Sequence, residues 1–210
     1  MVTLEAILER NNLNRAYKQV KANRGGPGVD GMTVDEFLDY LRAHAVEIVE
    51  TVKAGKYKPQ PVRRVMIPKE EKGKFRPLEI PTAVDRVIQQ AIAQKLSDEY
   101  EPVFSLHSHG FRPCRSCRTA IDEALDIANQ GYVWVVDLDL SKFFDTVNHS
   151  KLLQLLSDKL KDGRVVSLIH KILRAPIQEG DKITPCEIGE NSYLRERCSQ
   201  TREHPRFLFT

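Results

Sequence analysis

No stretch of this chain is long and apolar enough to span a bilayer, and its first residues lack the basic-then-apolar pattern of a secretory leader. Both absences lead to the expectation of a cytoplasmic protein. Cysteine is scarce, four in 210 residues, and a chain of this size with so few does not rest on a disulfide framework. Internal repeats and low-complexity linkers are missing too, which removes the solenoid and fibrous classes. What is left is an ordinary globular composition, 41% hydrophobic and 29% charged. The length suits one large domain or two small ones.

Net charge is close to balanced at +3, but it is unevenly spread. Between Lys53 and Lys95, eleven Lys or Arg stand against four Asp or Glu, and Arg112, Arg115 and Arg118 follow with no acid among them. Cations interleaved with Tyr57, Phe75 and Phe111 suit a polyanion whose bases can stack. The same pattern also describes a solvated charged face, so charge alone leaves both readings open.

The most informative stretch runs from Val133 to Asp145. Val133 to Val136 is β-branched and aromatic with no polar relief, which predicts a strand buried on both faces. Asp137 and Asp139 follow, and alternation along a strand would put both carboxylates on one face. Acids at the end of a buried strand need a cation or a hydrogen-bond donor, and two on one face can seat a divalent metal. Short Asp-x-Asp patterns occur in solvated turns as well, so spacing by itself does not choose.

The residues from Asp139 to His149, Asp-Leu-Ser-Lys-Phe-Phe-Asp-Thr-Val-Asn-His, closely resemble the first catalytic motif of reverse transcriptases encoded by group II introns. The resemblance implies that Asp139 is catalytic and a metal ligand, with the backbone carbonyl of Leu140 as a further ligand. It also implies that Phe144 screens the sugar of the incoming nucleotide. A rigid ring where a 2′-hydroxyl would sit favours deoxynucleotides, since that hydroxyl separates RNA from DNA chemistry.

Elsewhere the chain is read from local signals. Residues 4 to 22 predict one amphipathic helix capped by Thr3. The run Arg24 to Gly31, with four glycines and a proline, can only be a loop. It lacks the Lys-Ser/Thr ending of a P-loop and resembles the N-terminal extension of the same family. Thr33 with Glu36 forms a capping box for the next helix, and Gly55 is a fitting stop. Arg63 to Pro68 and Phe75 to Ile80 predict a hairpin around a charged turn containing Gly73. Its arms hold Lys69 and Arg76, a point charge and a bidentate fork suited to a triphosphate. Ile67-Pro68-Lys69 and Gly73 to Leu78 resemble the fingers motif whose Lys and Arg bind the nucleotide.

A helix from Asp85 to about Tyr100, and then Ser108 to Ser116, resemble the region that lines the template path. The resemblance implies template or RNA contact by Phe111, Arg112 and Arg115, while Arg86 fits a structural role equally well. Cys114-x-x-Cys117 after His107-x-His109 has the look of a zinc cluster. No distant second ligand pair accompanies it, however, and adjacent pairs alone rarely close a structural site. Cys114 stands where the family carries glycine. Helices are expected over Thr119 to Ala128, around Leu152 to Leu160 and over Val165 to Leu173, followed by a second hairpin from Ile177.

The fold class expected is α+β: right-hand polymerase fingers and a partial palm behind a helical N-terminal extension. Residues 1–55 form that extension, 56–130 the fingers, 131–189 the partial palm, and 190–210 an unmatched tail that out-of-frame translation would explain. The resemblance implies RNA-directed DNA synthesis with Mg²⁺, acting on RNA and dNTP, and assistance to intron splicing and mobility. The Pro-Gln-Gly and Ala-Asp-Asp segments of the family are missing, so the chain alone is expected to be inactive. A non-catalytic intron-RNA-binding module is the main rival, and an enzyme completed by a second polypeptide the next. The sequence leaves the oligomeric state open, and the resemblance allows a dimer.

Overall fold

The computed structural model describes residues 1–185 apart from 69, 71, 72, 141, 142, 144 and 145. Where one helix was expected over 4 to 22 there are two, α1 (Leu4–Ile7) and α2 (Arg10–Ala22). Thr3 caps α1, its hydroxyl accepting from the Ala6 N–H at 3.2 Å. The bend at Glu9 has a geometric cause. In one straight helix the buried set Leu4, Ile7 and Leu8 would face more than a right angle away from Asn12, Ala16 and Val20. Bending turns both sets to the core.

α3 spans Phe37–Lys53. Thr33 and Glu36 exchange backbone-to-side-chain hydrogen bonds ahead of it, at 2.9 and 3.4 Å. Gly55 ends it with a left-handed φ of 67°. Phe37, 1% exposed, lies beside the Tyr17 ring at 6.0 Å between centroids. α4 (Ala83–Tyr100) starts at Thr82, whose hydroxyl accepts from the Asp85 N–H. It runs along α2, with Ala16 and Ala91 completely buried. Asn12 locks that contact: its side-chain amide donates to the carbonyls of Ile7 (2.8 Å) and Ala91 (3.0 Å), and accepts from Gln94 at 2.9 Å. A buried amide with these partners is satisfied, which is the condition for tolerating it in a core.

The sheet begins with β1 (Val62–Pro68) and β2 (Phe75–Ile80), an antiparallel hairpin turning at Gly73, φ 82°. α5 covers Cys117–Asn129, α6 His149–Lys159 and α7 Gly163–Leu173. Then β3 (Ile177–Glu179) pairs parallel to β1 and β4 (Lys182–Thr184) antiparallel to β3, giving the order β2-β1-β3-β4. Val165, Leu168, Ile169 and Ile172 put one stripe of α7 into the same core as α2 and α4, each such burial contributing about 1.5–3 kcal/mol. The start of α7 also holds α1. Asp162 accepts from the Leu4 N–H at 2.9 Å, and Arg164 bridges Asp162 (2.9 Å) and Glu5 (2.7 Å).

The buried strand expected at Val133 to Val136 does not form. Residues 132–140 carry no ladder, and Trp134 is 94% exposed. A strand exists only through hydrogen bonds to a neighbour, and none of the four strands among the described residues pairs with this one. No helix among the described residues is long and apolar enough to cross a membrane.

Candidate functional site

The hairpin that the sequence marks out for phosphate is built from the base up. At the base, Asp85 is 2% exposed and accepts from the Tyr57 hydroxyl (2.5 Å), the Thr82 hydroxyl (2.6 Å) and the Gln60 N–H (3.3 Å). Burial pushes its carboxyl above the ordinary Asp range, against the pull of those donors. Asp85 thus ties the segment leading into β1 to the first turn of α4. The glycine loop closes over the same node. Arg86 donates to the Gly26 carbonyl at 2.9 Å and Arg63 to the Pro27 carbonyl at 3.3 Å. A Cβ on Gly28 would sit 2.7 Å from the Thr82 Cα, so only glycine allows this approach.

Higher up, Arg64 and Glu79 lie opposite each other across the hairpin and form a pair of contacts at 2.7 and 3.2 Å, with Glu79 1% exposed. Arg76 lies opposite Ile67, on the face shared with Arg63 and Val65. Lys69, its expected partner, lies outside the described residues. So does Phe144, the expected sugar gate.

The expected template loop is held by contacts among its own residues and its neighbours. The Arg112 guanidinium donates to Glu101 (2.7 and 3.1 Å) and to the carbonyls of Ser105 (2.5 Å) and Ser108 (2.9 Å), and it stacks over Phe104. Arg115 donates to the Leu106 carbonyl at 2.6 Å. His107 and His109 both contact Glu123 on α5, the latter at 2.5 Å. These two bonds hold the Glu123 carboxyl below its usual range. Arg112 and Arg115 therefore brace the loop from within, and Phe111, 67% exposed at a φ of 56°, is what the loop offers outward.

Asp137, Asp139 and Leu140 lie in the exposed 132–140 segment. Mg²⁺ takes six oxygens, usually one or two carboxylates with waters and substrate phosphates. Asp139 and the Leu140 carbonyl could supply part of such a shell. Two-metal phosphoryl transfer, however, needs carboxylates on both sides of the reacting oxygens. Among the described residues no three His, Cys, Asp or Glu side chains gather to hold a metal. The described residues do not complete the site.

Sequence reasoning missed Asp85, Glu101 and Glu123. Thr82-x-x-Asp85 at a helix start is a readable signal for the first. The other two owe their roles to partners that only the loop's fold supplies.

The architecture matches that of a reverse transcriptase. The chain aligns with a chain of a Partial Cas6-RT-Cas1--Cas2 complex at a TM-score of 0.55 and 20% identity, covering 89% of this chain and 32% of that one. Residues 67–200 match the family Reverse transcriptase (RNA-dependent DNA polymerase), and the chain belongs to that family. The match runs past Gly189, into the stretch read from sequence as an unmatched tail. Among curated proteins, the group II intron-encoded protein LtrA of Lactococcus lactis subsp. cremoris is 39% identical over 160 residues, 76% of this chain and 26% of LtrA. Protein YkfC of Escherichia coli (strain K12) is 37% identical over 178 residues, 82% of this chain and 46% of YkfC. The chain spans a quarter to a half of the length of these relatives.

Proposed function

We propose that this chain is the fingers and early palm of a group II intron reverse transcriptase/maturase, binding RNA and dNTP through the hairpin and the loop after α4. The observation that carries this reading is the braced β1–β2 hairpin with Arg76 on one arm, at the position where the family motif places a phosphate-binding arginine. Lys69, next in sequence after β1, and Phe144 as sugar gate are the further nucleotide contacts the family motif implies, and Phe111 is the stacking contact for template. In the complete enzyme Mg²⁺ would supply charge neutralisation at the reacting phosphates, with Asp139 and the Leu140 carbonyl among its ligands. The chain alone is expected not to polymerise, because its sequence lacks the Ala-Asp-Asp segment that carries the family's second acidic motif.

Binding is tested by fluorescence anisotropy with an RNA oligonucleotide at rising salt. Phosphate-driven affinity should fall steeply, and binding indifferent to salt counts against the reading. Primer extension tests the chemistry: no product is expected on an RNA template with dNTPs and Mg²⁺. Extension that disappears in Asp139→Ala would show that this chain is a polymerase in its own right. Exposure of the 132–140 segment favours the rival reading, a non-catalytic RNA-binding module. RNA binding without any triphosphate binding would select it.

A further inference from the structure

The loop after α4 is strained in one specific place. Two non-glycine residues within four positions, Phe111 and Cys114, have left-handed backbone, with φ of 56° and 58°. Arg112-Pro113-Cys114-Arg115 closes a turn in which the Arg115 N–H donates to the Arg112 carbonyl at 3.3 Å. Proline second and a positive φ third is the type II pattern, whose third position favours glycine. A side chain there costs about 1–2 kcal/mol, and such strain persists where the surroundings enforce it. Here the clamp of Arg112 on Glu101, Ser105 and Ser108 does so.

Three residues on, Cys117 is the first residue of α5, behind the capping serine Ser116. Both thiols are free and exposed, and Arg115 and Arg118 flank them in sequence. Both thiols of this Cys-x-x-Cys pair are open to a soluble thiol oxidant. His107 and His109 are engaged by Glu123. The proposed nucleotide and template contacts use neither thiol.

We propose that Cys114 and Cys117 are a dithiol that closes to a disulfide under a thiol oxidant such as oxidised glutathione, and that closure reshapes the loop presenting Phe111. One cysteine thiolate attacks a glutathione sulfur and expels the first glutathione thiolate. The other cysteine attacks the mixed disulfide and expels the second. Two protein thiols lose two protons and two electrons, and one glutathione disulfide becomes two thiols. Ser116, extended at φ −155° and ψ 171°, separates Cys114 from the first turn of α5. A disulfide needs its Cα atoms within about 7 Å, and the chain between the two thiols runs through the Ser116–Thr119 capping box.

The test uses the whole chain with Cys186 and Cys198 changed to serine. After oxidised glutathione, the intact mass should fall by two hydrogens, and both remaining thiols should resist maleimide. Adding Cys117→Ser, or Cys114→Gly (which keeps the turn without strain), should leave one glutathione attached instead. Closure should weaken binding of a single-stranded RNA oligonucleotide about tenfold, reversed by dithiothreitol. Two glutathione adducts without closure, or no reaction, overturn the dithiol. Closure with unchanged RNA affinity overturns its coupling to the loop. The RNA arm rests on the function proposed above, whereas the mass arm does not. A reduced chain that binds no RNA therefore sinks that function while the thiol pair is still judged by mass.

Discussion

The helical body around α2 and α4 and the stretch 132–140 carry equally strong apolar signals in sequence, yet they end in opposite states. Phe37, Ala16, Val87 and Ile88 are buried, whereas Val133 to Val136, a denser apolar run, lies exposed without a ladder. The difference is one of partners. A helix makes its backbone hydrogen bonds internally and needs only a surface to cover its stripe. A strand needs another strand for both its hydrogen bonds and its burial.

That contrast can be broken by mutation. The largest effect is expected from Phe37→Ala, which empties the space beside Tyr17 and should cost about 3–5 kcal/mol in urea unfolding. A loss under about 1 kcal/mol would mean that the helical body is not the stabilising core it is taken to be.

The second test is acid. Hydrogen bonds from Arg164 hold the Asp162 carboxyl down at about 2, from an ordinary value of 3.8. A depressed carboxyl gives stability that is present above the unfolded value and lost as pH falls through the folded one. Thermal midpoints should therefore drop between about pH 4 and pH 2, and Asp162→Asn should flatten that limb. Asp85, raised by burial, acts with the opposite sign: the stability it brings is full below its unfolded value and fades as pH rises. An acid limb unchanged in Asp162→Asn would remove the clamp between α1 and α7 from the account.

A smaller effect, of reversed sign, is expected at the strained turn. Cys114→Gly relieves the left-handed cysteine but loosens the unfolded chain, for a net stabilisation of about 0.5–1 kcal/mol. A destabilised variant would show that the thiol makes contacts worth more than the strain. The smallest effect should come from Trp134→Ala. The only tryptophan in the chain is expected to change the stability of this chain by less than about 0.5 kcal/mol, because its removal uncovers nothing. A loss comparable to that of Phe37→Ala would show that 132–140 is packed in solution.

The sequence by itself determined the features whose physics closes within a few residues. Thr3, Thr82 and the Thr33–Glu36 box cap helices, Gly55 ends one, and Gly73 turns the hairpin, because each satisfies backbone groups of its immediate neighbours. The motif around Asp139 was legible in the same way, as a string of residue types. Only the tertiary structure decided the rest. Asp85 receives Tyr57 and Gln60 from 28 and 25 residues away, and Asp162 holds the backbone of Leu4 across 158. Arg112 turns inward to Glu101 and its own loop, β3 joins β1 in parallel, and Trp134 stays in solvent. In each of these the free energy of a side chain depends on which distant group reaches it, and no local pattern records that.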